Sequence, residues 1–201
     1  SSFSLRFFVI TAFSLVLLIF SGCTTTVKRP EFKEMAFSHL PIIAFDVGHI
    51  EVVENYRSPL ISPNIEHNFP IPPIVAIKRW VRDRVEAVGD NGVLQISIID
   101  ASARSYELET NQTIEGWFTT EQAEKIEARI EVSFKILRNG ITQDLYANAE
   151  AERSRTLPEG ASLNDRDMVY FDLTAALMND FNATMEQSLR KYLSAFSSSH
   201  S

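Results

Sequence analysis

Residues 125–153, KIEARIEVSFKILRNGITQDLYANAEAER, contain the pattern that decides the fold. Apolar and polar residues alternate through the first half of this stretch, as they do in a strand with one face buried against a core. The dipeptide Asn139-Gly140 follows, and it is a preferred sequence for the two-residue turn between antiparallel strands. The stretch therefore predicts a β-hairpin with apolar side chains on its buried face and charged side chains in solvent.

The turn also predicts the register of the hairpin, because pairing proceeds outward from Asn139-Gly140. The predicted pairs are Phe134–Leu145, Val132–Ala147, Ile130–Ala149, Ala128–Ala151, Lys135–Asp144 and Arg129–Glu150. In this register apolar residues face one another on one side and opposite charges meet on the other. The alanines of the second strand leave a shallow surface, on which we expect a helix to pack.

The segment after the hairpin predicts that helix. Ser162 is a typical N-cap residue, and Asp165, three positions later, is its capping-box partner. Apolar residues then recur every three or four positions, which is the period of an amphipathic helix. They are Tyr170, Leu173, Leu177, Phe181, Met185, Leu189, Tyr192 and Phe196.

Upstream of the hairpin the chain predicts a strand, a helix and a second strand. Residues 42–56 are rich in β-branched and aromatic residues, which favour a strand. Residues 74–88 place apolar side chains on one face of a helix that Gly89 ends. Residues 92–108 favour a strand bent near Asp100.

The predicted order is therefore β-α-β-β-β-α. Each helix has one apolar stripe and the hairpin has one apolar face, so the economical arrangement is an α+β fold: about four mostly antiparallel strands with two helices packed on one face. The length of 201 residues, with 45% hydrophobic and 22% charged residues, suits one globular domain with an appendage. We expect a single domain at residues 41–196 and a disordered tail at residues 197–201.

The first 22 residues have the order of a secretory signal. Arg6 precedes an apolar run at residues 7–20, and two small residues suited to signal peptidase follow. A membrane-spanning helix needs about 20 apolar residues at ~1.5 Å each, and this run is shorter. We expect residues 1–22 to be a cleaved signal peptide, with an uncleaved anchor as the alternative. Because the sequence starts with Ser1 rather than Met, we also expect a few residues to precede it.

Cys23 is the only cysteine, so it can form neither an internal disulfide nor a thiolate metal site. The residues around it resemble the lipobox of bacterial lipoproteins. The matching residues are Phe20, Ser21, Gly22 and Cys23. The resemblance implies that Cys23 carries a diacylglyceryl group and a further acyl chain, and several chains together anchor a protein firmly. Residues 23–40 would then be a lipidated tether. Cys23 is followed by Thr24 rather than by Asp, which in Gram-negative lipoproteins implies sorting to the outer membrane. The domain would then face the periplasm.

The layout after Cys23 is similar to that of small periplasm-facing lipoproteins that assist envelope transport. These include LptE-like lipopolysaccharide-assembly lipoproteins, which plug an outer-membrane barrel, and the auxiliary lipoproteins of lipid-trafficking ABC transporters. The likeness is carried by the lipidation segment, the hairpin IEVSFKILRNG at residues 130–140 and the helix that begins after residues 154–167. It implies a non-enzymatic accessory in envelope assembly or in lipid or lipopolysaccharide transport, with an envelope protein complex as partner.

We find no catalytic constellation in the sequence. A nucleophile elbow and a phosphate-binding glycine loop are both absent, so we expect no enzyme, no cofactor and no metal site. His49 and Glu51 share a strand face near Glu54, and they would suit a metal or acid–base cluster only with a third ligand. A solvated polar face is the alternative, for them and for His67, and an envelope hydrolase is the weakest functional hypothesis. The net charge of −7 disfavours nucleic-acid binding.

Two segments offer apolar contacts to a partner. Trp117 and Phe118 are adjacent, so an extended chain cannot point both into one core, and one of them is a candidate lipid or partner contact. The alternative is that both pack against a sheet edge. The irregular segment 57–73 holds five prolines and several apolar residues, which pack over the core or onto a partner.

The second functional hypothesis is a lipid- or glycolipid-binding module with an apolar groove between helices and sheet. An enclosed apolar pocket in the folded domain would favour it, whereas a flat apolar patch would favour docking.

Overall fold

The computed structural model describes residues 31–108, 122–139 and 141–198. In this part of the chain there are seven strands, two α-helices and one 3-10 turn. They are, in chain order, β1 (Ile43–Phe45), β2 (His49–Glu54), the 3-10 turn (Glu66–Asn68), α1 (Pro73–Arg84), β3 (Val85–Ala87), β4 (Val93–Asp100), β5 (Ala103–Glu107), β6 (Gln122–Arg138), β7 (Ile141–Pro158) and α2 (Leu163–Ser198). The fold is α+β, as the sequence predicts.

The main sheet is built around β6. Strand β7 pairs with one side of β6, β4 and β5 pair end to end with its other side, and β2 pairs with β4 at the edge. Strands β4 and β5 are one strand bent at Asp100, whose carboxylate accepts the N–H of Ser102 at 2.9 Å. The sheet thus has four strand positions, and only the β2–β4 pair is parallel. Apart from β1 and β3, the elements follow the predicted order.

The predicted helix over residues 74–88 is too long, because it ends at Arg84. Residues 85–87 form β3 instead, which pairs in parallel with β1 in a separate two-stranded ribbon. The ribbon gives the backbone groups and the β-branched Val85 a strand partner. Gly89 does not end a helix: a Cβ there would lie 2.9 Å from the backbone carbon of Asp46, so glycine lets two chain segments approach closely.

The predicted hairpin forms, but its predicted register is wrong by two residues over most of its length. Next to the turn Arg138 pairs with Ile141, as predicted, and an irregularity then adds two residues to β7. The observed pairs beyond it are Lys135–Tyr146, Phe134–Ala147, Val132–Ala149, Ile130–Ala151 and Ala128–Arg153. Because side chains alternate with a period of two, an even shift leaves the same residues facing the core.

Two local predictions for the hairpin are confirmed despite this shift. Asn139 has a φ of 53°, the left-handed conformation that the predicted turn requires. Arg129 now lies opposite Glu152 in the sheet, yet its guanidinium reaches diagonally to Glu150 at 3.0 Å. The ion pair therefore tolerates the shift because an arginine side chain is long enough to span a diagonal.

Both helices pack on one face of the sheet, as predicted. The side chains of Trp80, Phe134 and Phe181 come from α1, β6 and α2 and are fully buried together. The ring of Trp80 meets that of Phe181 edge to face at 5.2 Å between centroids. The alanines of β7 that face inward are buried and belong to the same core: Ala147, Ala149 and Ala151.

Helix α2 begins with the predicted capping box. The Ser162 hydroxyl accepts the N–H of Asp165 at 3.2 Å, and the Asp165 carboxylate accepts the N–H of Ser162 at 3.1 Å. The Ser162 hydroxyl also donates to the Asp165 carboxylate at 2.7 Å, and this bond together with the one from the Ser162 N–H lowers the pKa of Asp165 from its ordinary value. The helix runs through Ser198, two residues into the segment predicted to be a tail.

Residues 32–37, which the sequence assigns to the tether, pack against the core. Met35 and Phe37 are only 9% and 6% exposed. The N–H of Phe37 donates to the carboxylate of Asp83 at 2.9 Å, and Phe32 stacks on Phe171 of α2 at 5.0 Å between centroids. Apolar side chains this close to the domain are drawn into its core. The folded unit therefore includes residues 32–37 and does not start only at residue 41.

Candidate functional site

Three residues that the sequence singles out lie outside the described residues. They are Cys23, the predicted lipidation site, and Trp117 and Phe118, the predicted partner contact. Their roles stay predictions.

His49, Glu51 and Glu54 lie along the edge strand β2 and are exposed. Glu51 accepts a hydrogen bond from Gln95 on β4 at 3.4 Å, whereas Glu54 forms an ion pair with Lys78 of α1. Glu54 therefore points away from the face that His49 and Glu51 share. Nowhere in the described residues do three His, Cys, Asp or Glu side chains come close enough to hold a metal. This arrangement agrees with a solvated polar face.

The most distinctive surface lies in residues 55–72, which we call the proline loop. The sequence leaves open whether its apolar residues pack over the core or face a partner, and the structure divides them. Phe69 and Ile71 are buried in the core, whereas Leu60 and Ile61 are 63% and 68% exposed. The loop thus has an inner half that packs on the domain and an outer half with two adjacent aliphatic side chains in solvent.

A buried carboxylate braces the loop from inside. Glu66 is 3% exposed. It accepts hydrogen bonds from the Tyr56 hydroxyl, from the Asn64 amide at 3.5 Å and from the N–H of Ala103 at 3.2 Å. These donors come from both arms of the loop and from the start of β5. The carboxylate therefore ties the loop together and fastens it to the sheet.

The pKa values of Glu66 and Tyr56 reflect this network. Burial by itself would raise the pKa of Glu66, but hydrogen bonds from Ser58, Tyr56 and backbone N–H groups outweigh it and hold the pKa below its ordinary value. Burial and the neighbouring Glu66 carboxylate raise the pKa of Tyr56. At neutral pH the pair is therefore a carboxylate that accepts from a neutral phenol.

Further contacts join the proline loop to β5 and α2. The N–H of Ile65 donates to the carbonyl of Ala103, and the N–H of Ser105 donates to the carbonyl of Pro63, both at 2.9 Å. These bonds cover the outer edge of β5, where unpaired backbone groups would otherwise face solvent. On the other side the ring of Phe69 stacks on that of Tyr170 at 4.4 Å between centroids. The loop is held on two sides.

The tip of the loop is conformationally unusual. Leu60 has a φ of 59°, in the left-handed region that leucine rarely adopts. Such residues persist where the surrounding structure holds them, and they concentrate at functional surfaces. Nothing in the local sequence predicts this conformation, because Leu60 is neither a glycine nor an asparagine.

A cavity of about 480 Å³ opens at the same end of the molecule. Its lining comes from β5, β6, the segment after β7 and the first turn of α2. In its wall Glu124 accepts hydrogen bonds from Ser105 and from Arg166. Sequence reasoning missed this cavity, because its polar residues come from three distant segments and form no motif.

A second buried polar residue, Arg84, joins the two helices and is 2% exposed. Its guanidinium donates to the carbonyl of Pro41 at 2.9 Å and to Glu186 of α2 at 2.8 Å. It also donates to Asn182, which accepts the Trp80 indole N–H at 2.8 Å. All of these partners belong to the fold itself, so we regard the cluster as structural.

Within the described residues, neither helix has the length and apolar character to cross a bilayer. No protein-family model matches the chain, and no curated protein is significantly similar to it. Among solved structures it is similar to the crystal structure of protein XCC0632 from Xanthomonas campestris, described as family DUF330. The identity is 11%, the alignment covers 86% of this chain and 98% of that chain, and the TM-score is 0.32. A likeness of this size carries no functional argument.

Proposed function

We propose that this protein is a lipid-anchored, non-enzymatic accessory of the bacterial envelope, which acts by docking rather than by chemistry. The observation that carries the proposal is the closed interior of the domain. Trp80, Phe134 and Phe181 are fully buried between the helices and the sheet, where a ligand groove would otherwise lie. A domain with a filled core offers its partners surfaces rather than an enclosed site.

The closed interior weighs against the alternative of a lipid- or glycolipid-binding module. An acyl chain needs an enclosed apolar pocket, and the described part of the chain fills the predicted groove with its own side chains. The cavity near the proline loop is open and has Ser105, Glu124 and Arg166 in its wall, which does not suit an acyl chain. A hydrolase has equally little support, since His49 and Glu51 are exposed on β2 and, in the described residues, no third His, Cys, Asp or Glu side chain joins them in a cluster.

The membrane anchor in this proposal rests on the sequence. A short apolar run ends at the only cysteine, and Phe32 already packs on the domain, so few residues separate the two. We propose that Cys23 is lipidated and that the domain lies in the periplasm at the outer membrane. Its partner is an envelope protein complex.

Metabolic labelling with a palmitate analogue tests the anchor. We expect the wild-type protein to incorporate the label and to sediment with membranes, and Cys23→Ser to do neither. Thr25→Ser, two positions away, is the matched control and should behave as wild type. Labelling of Cys23→Ser at the wild-type level, or an unlabelled wild type, would show that Cys23 is not the anchor.

Crosslinking in intact envelopes tests the accessory role. We expect the wild-type protein to be captured reproducibly in one membrane complex, and Trp117→Ala with Phe118→Ala to weaken that capture. Ile42→Ala, at an apolar residue that the structure shows to be 61% exposed, is the control. A protein recovered only as an isolated monomer would contradict the accessory role.

A further inference from the structure

We propose that the tip of the proline loop is a second, non-covalent membrane contact. In this proposal Leu60 and Ile61 enter the apolar boundary of the bilayer, while Arg57 and Arg104 bind the phosphates of anionic lipid headgroups. The inference rests on the proposed lipid anchor at Cys23, because the anchor brings the loop to the membrane.

The tip is both apolar and firmly held. Leu60 and Ile61 are adjacent and about two-thirds exposed, and Leu60 has a positive φ. The base of the loop is held by the buried Glu66 and by backbone hydrogen bonds to β5. A fold that braces a loop and still leaves two large aliphatic side chains in solvent presents a preorganised apolar contact.

The charges around the tip favour an anionic lipid surface over a cationic or neutral one. The whole chain carries a net charge of −7, yet the only charged residue at positions 55–61 is Arg57. Arg104 lies beside the returning arm of the loop, since its backbone pairs with that of Asn64. In the described residues no carboxylate lies within ion-pair distance of Arg57 or Arg104.

Among the other described arginines, Arg79 and Arg155 also form no ion pair, whereas seven do. They are Arg82, Arg84, Arg129, Arg138, Arg153, Arg166 and Arg190. Guanidinium groups without a carboxylate partner remain available for phosphate, which they bind well. Tyr106, 40% exposed and two positions after Arg104 on β5, belongs to a residue type that is enriched at membrane interfaces.

The path of the chain places the anchor at the same end of the molecule. Phe32 stacks on Phe171, and the preceding helix residue, Tyr170, stacks on Phe69 of the proline loop. The chain coming from Cys23 therefore reaches the domain beside the loop. Residues 24–31 span at most about 30 Å when fully extended, so a lipid on Cys23 keeps this end close to the bilayer.

Site-specific fluorescence on the lipidated protein tests the contact. Because Cys23 is acylated in the proposed state, Ile61→Cys provides the one reactive thiol for an environment-sensitive NBD label. The protein is reconstituted in vesicles of phosphatidylethanolamine and phosphatidylglycerol. We expect the label to emit at shorter wavelength and several-fold more brightly than on protein that a protease has released into detergent-free buffer. We also expect lipids that carry a nitroxide on the acyl chain to quench it.

Val88→Cys is the matched control, since Val88 is an aliphatic residue of similar exposure, 60%. Val88 lies near the start of β2, which is level with Leu137 along β6. The proline loop lies beside the start of β5, which is level with Ala128 of β6. The separation is about nine residues of β6, or roughly 30 Å. We expect its label to keep solvent-like emission and to escape quenching.

The charge component has its own test. Arg57→Gln with Arg104→Gln should reduce the quenching of the Ile61→Cys label several-fold in anionic vesicles and have little effect in phosphatidylcholine vesicles. Equal quenching of this variant and the parent would overturn the role of the two arginines.

Mass spectrometry of the same samples separates this inference from the proposed function. An acylated, vesicle-bound protein whose label at residue 61 stays solvent-like overturns the membrane contact and leaves the anchor intact. A label that becomes protected only in intact envelopes also overturns it, because the tip would then bind a protein. A protein without acyl chains overturns the anchor itself.

Discussion

Glu66 is the residue on which the shape of the proline loop depends most. A buried carboxylate is unfavourable unless hydrogen bonds replace its hydration. Here a phenol, a side-chain amide and a backbone N–H converge on it. Its position in the sequence predicts a solvated residue, because a charged residue in an irregular segment is usually exposed. The donors are supplied by residues that only the folded loop brings together.

We expect Glu66→Gln to lower the free energy of unfolding at pH 7 by about 1–3 kcal/mol, because a buried charge-assisted acceptor is replaced by an amide that places a donor against other donors. Urea denaturation followed by tryptophan fluorescence measures this change. Glu86→Gln, at an exposed position of β3, is the control and should stay within about 0.5 kcal/mol of wild type. Equal stabilities of the two variants would show that the Glu66 network contributes nothing.

The pH dependence of the same pair of proteins follows from the lowered pKa of Glu66. A carboxyl whose folded-state pKa lies below its unfolded value adds stability above the unfolded pKa and loses it as the pH falls through the folded pKa. The difference in unfolding free energy between wild type and Glu66→Gln should therefore shrink between pH 7 and about pH 3. A difference that stays constant or grows over this range would contradict the lowered pKa.

At the scale of elements, sequence patterns predict what local periodicity and caps control. The hairpin, the capping box at Ser162 and the apolar stripe of α2 all depend on residues close together in the chain. The end of α1 at Arg84 was not predictable, because Val85–Ala87 become a strand only by pairing with β1, some 40 residues upstream. The predicted register was wrong for a similar reason. The turn residues control only the pairs beside Asn139, and no local sequence signal predicts the irregularity beyond those pairs.

The candidate site was less predictable than the fold. The pattern indicated that residues 57–73 were unusual, and their buried and exposed halves follow from contacts with β5 and α2 rather than from composition. Arg104 is 40 positions from Asn64 in the sequence, so only the backbone bridge between them brings Arg104 to the proline loop.

The contact between α2 and β7 predicts the effect of enlarging an alanine. Ala149 is almost fully buried in the core, and we expect Ala149→Leu to lower the free energy of unfolding by about 1–3 kcal/mol because the larger side chain overpacks the interface. Thermal denaturation measures the change. Ser154→Leu, on the exposed face of the same strand, should have little effect. A tolerated leucine at residue 149 would show that the helix does not pack closely on β7.

Because Arg84 links the two helices, we expect its substitution to lower the free energy of unfolding strongly. Arg84→Met removes the buried guanidinium that donates to Asn182 and Glu186, so we expect a loss of about 2–4 kcal/mol in the free energy of unfolding. Arg82, two positions before Arg84, is exposed and pairs with the adjacent Asp83, so Arg82→Met should cost much less than Arg84→Met. Similar losses for the two variants, measured by urea denaturation, would contradict the distinction.

At the scale of the whole molecule, the two ends of the sheet differ in character. The hairpin turn and the starts of β2 and β4 lie at one end. The proline loop, the polar cavity and the entry of the N-terminal segment lie at the other. The features proposed to meet the membrane are thus gathered at the end where the chain from Cys23 joins the domain.

Whether residues 32–37 belong to the folded domain determines how Phe37→Ala affects the free energy of unfolding. If the domain includes residues 32–37, Phe37→Ala removes a buried ring and should lower the free energy of unfolding by about 3–5 kcal/mol. If these residues were a free tether, the same change would be neutral. Ile42→Ala, at a position that is 61% exposed, is the control and should be neutral under both views. Urea denaturation distinguishes them. If Phe37→Ala were neutral, more residues would separate Cys23 from the packed part of the domain, and the proline loop would no longer be constrained to lie near a bilayer. If the variant is destabilised, only the eight residues 24–31 separate Cys23 from Phe32.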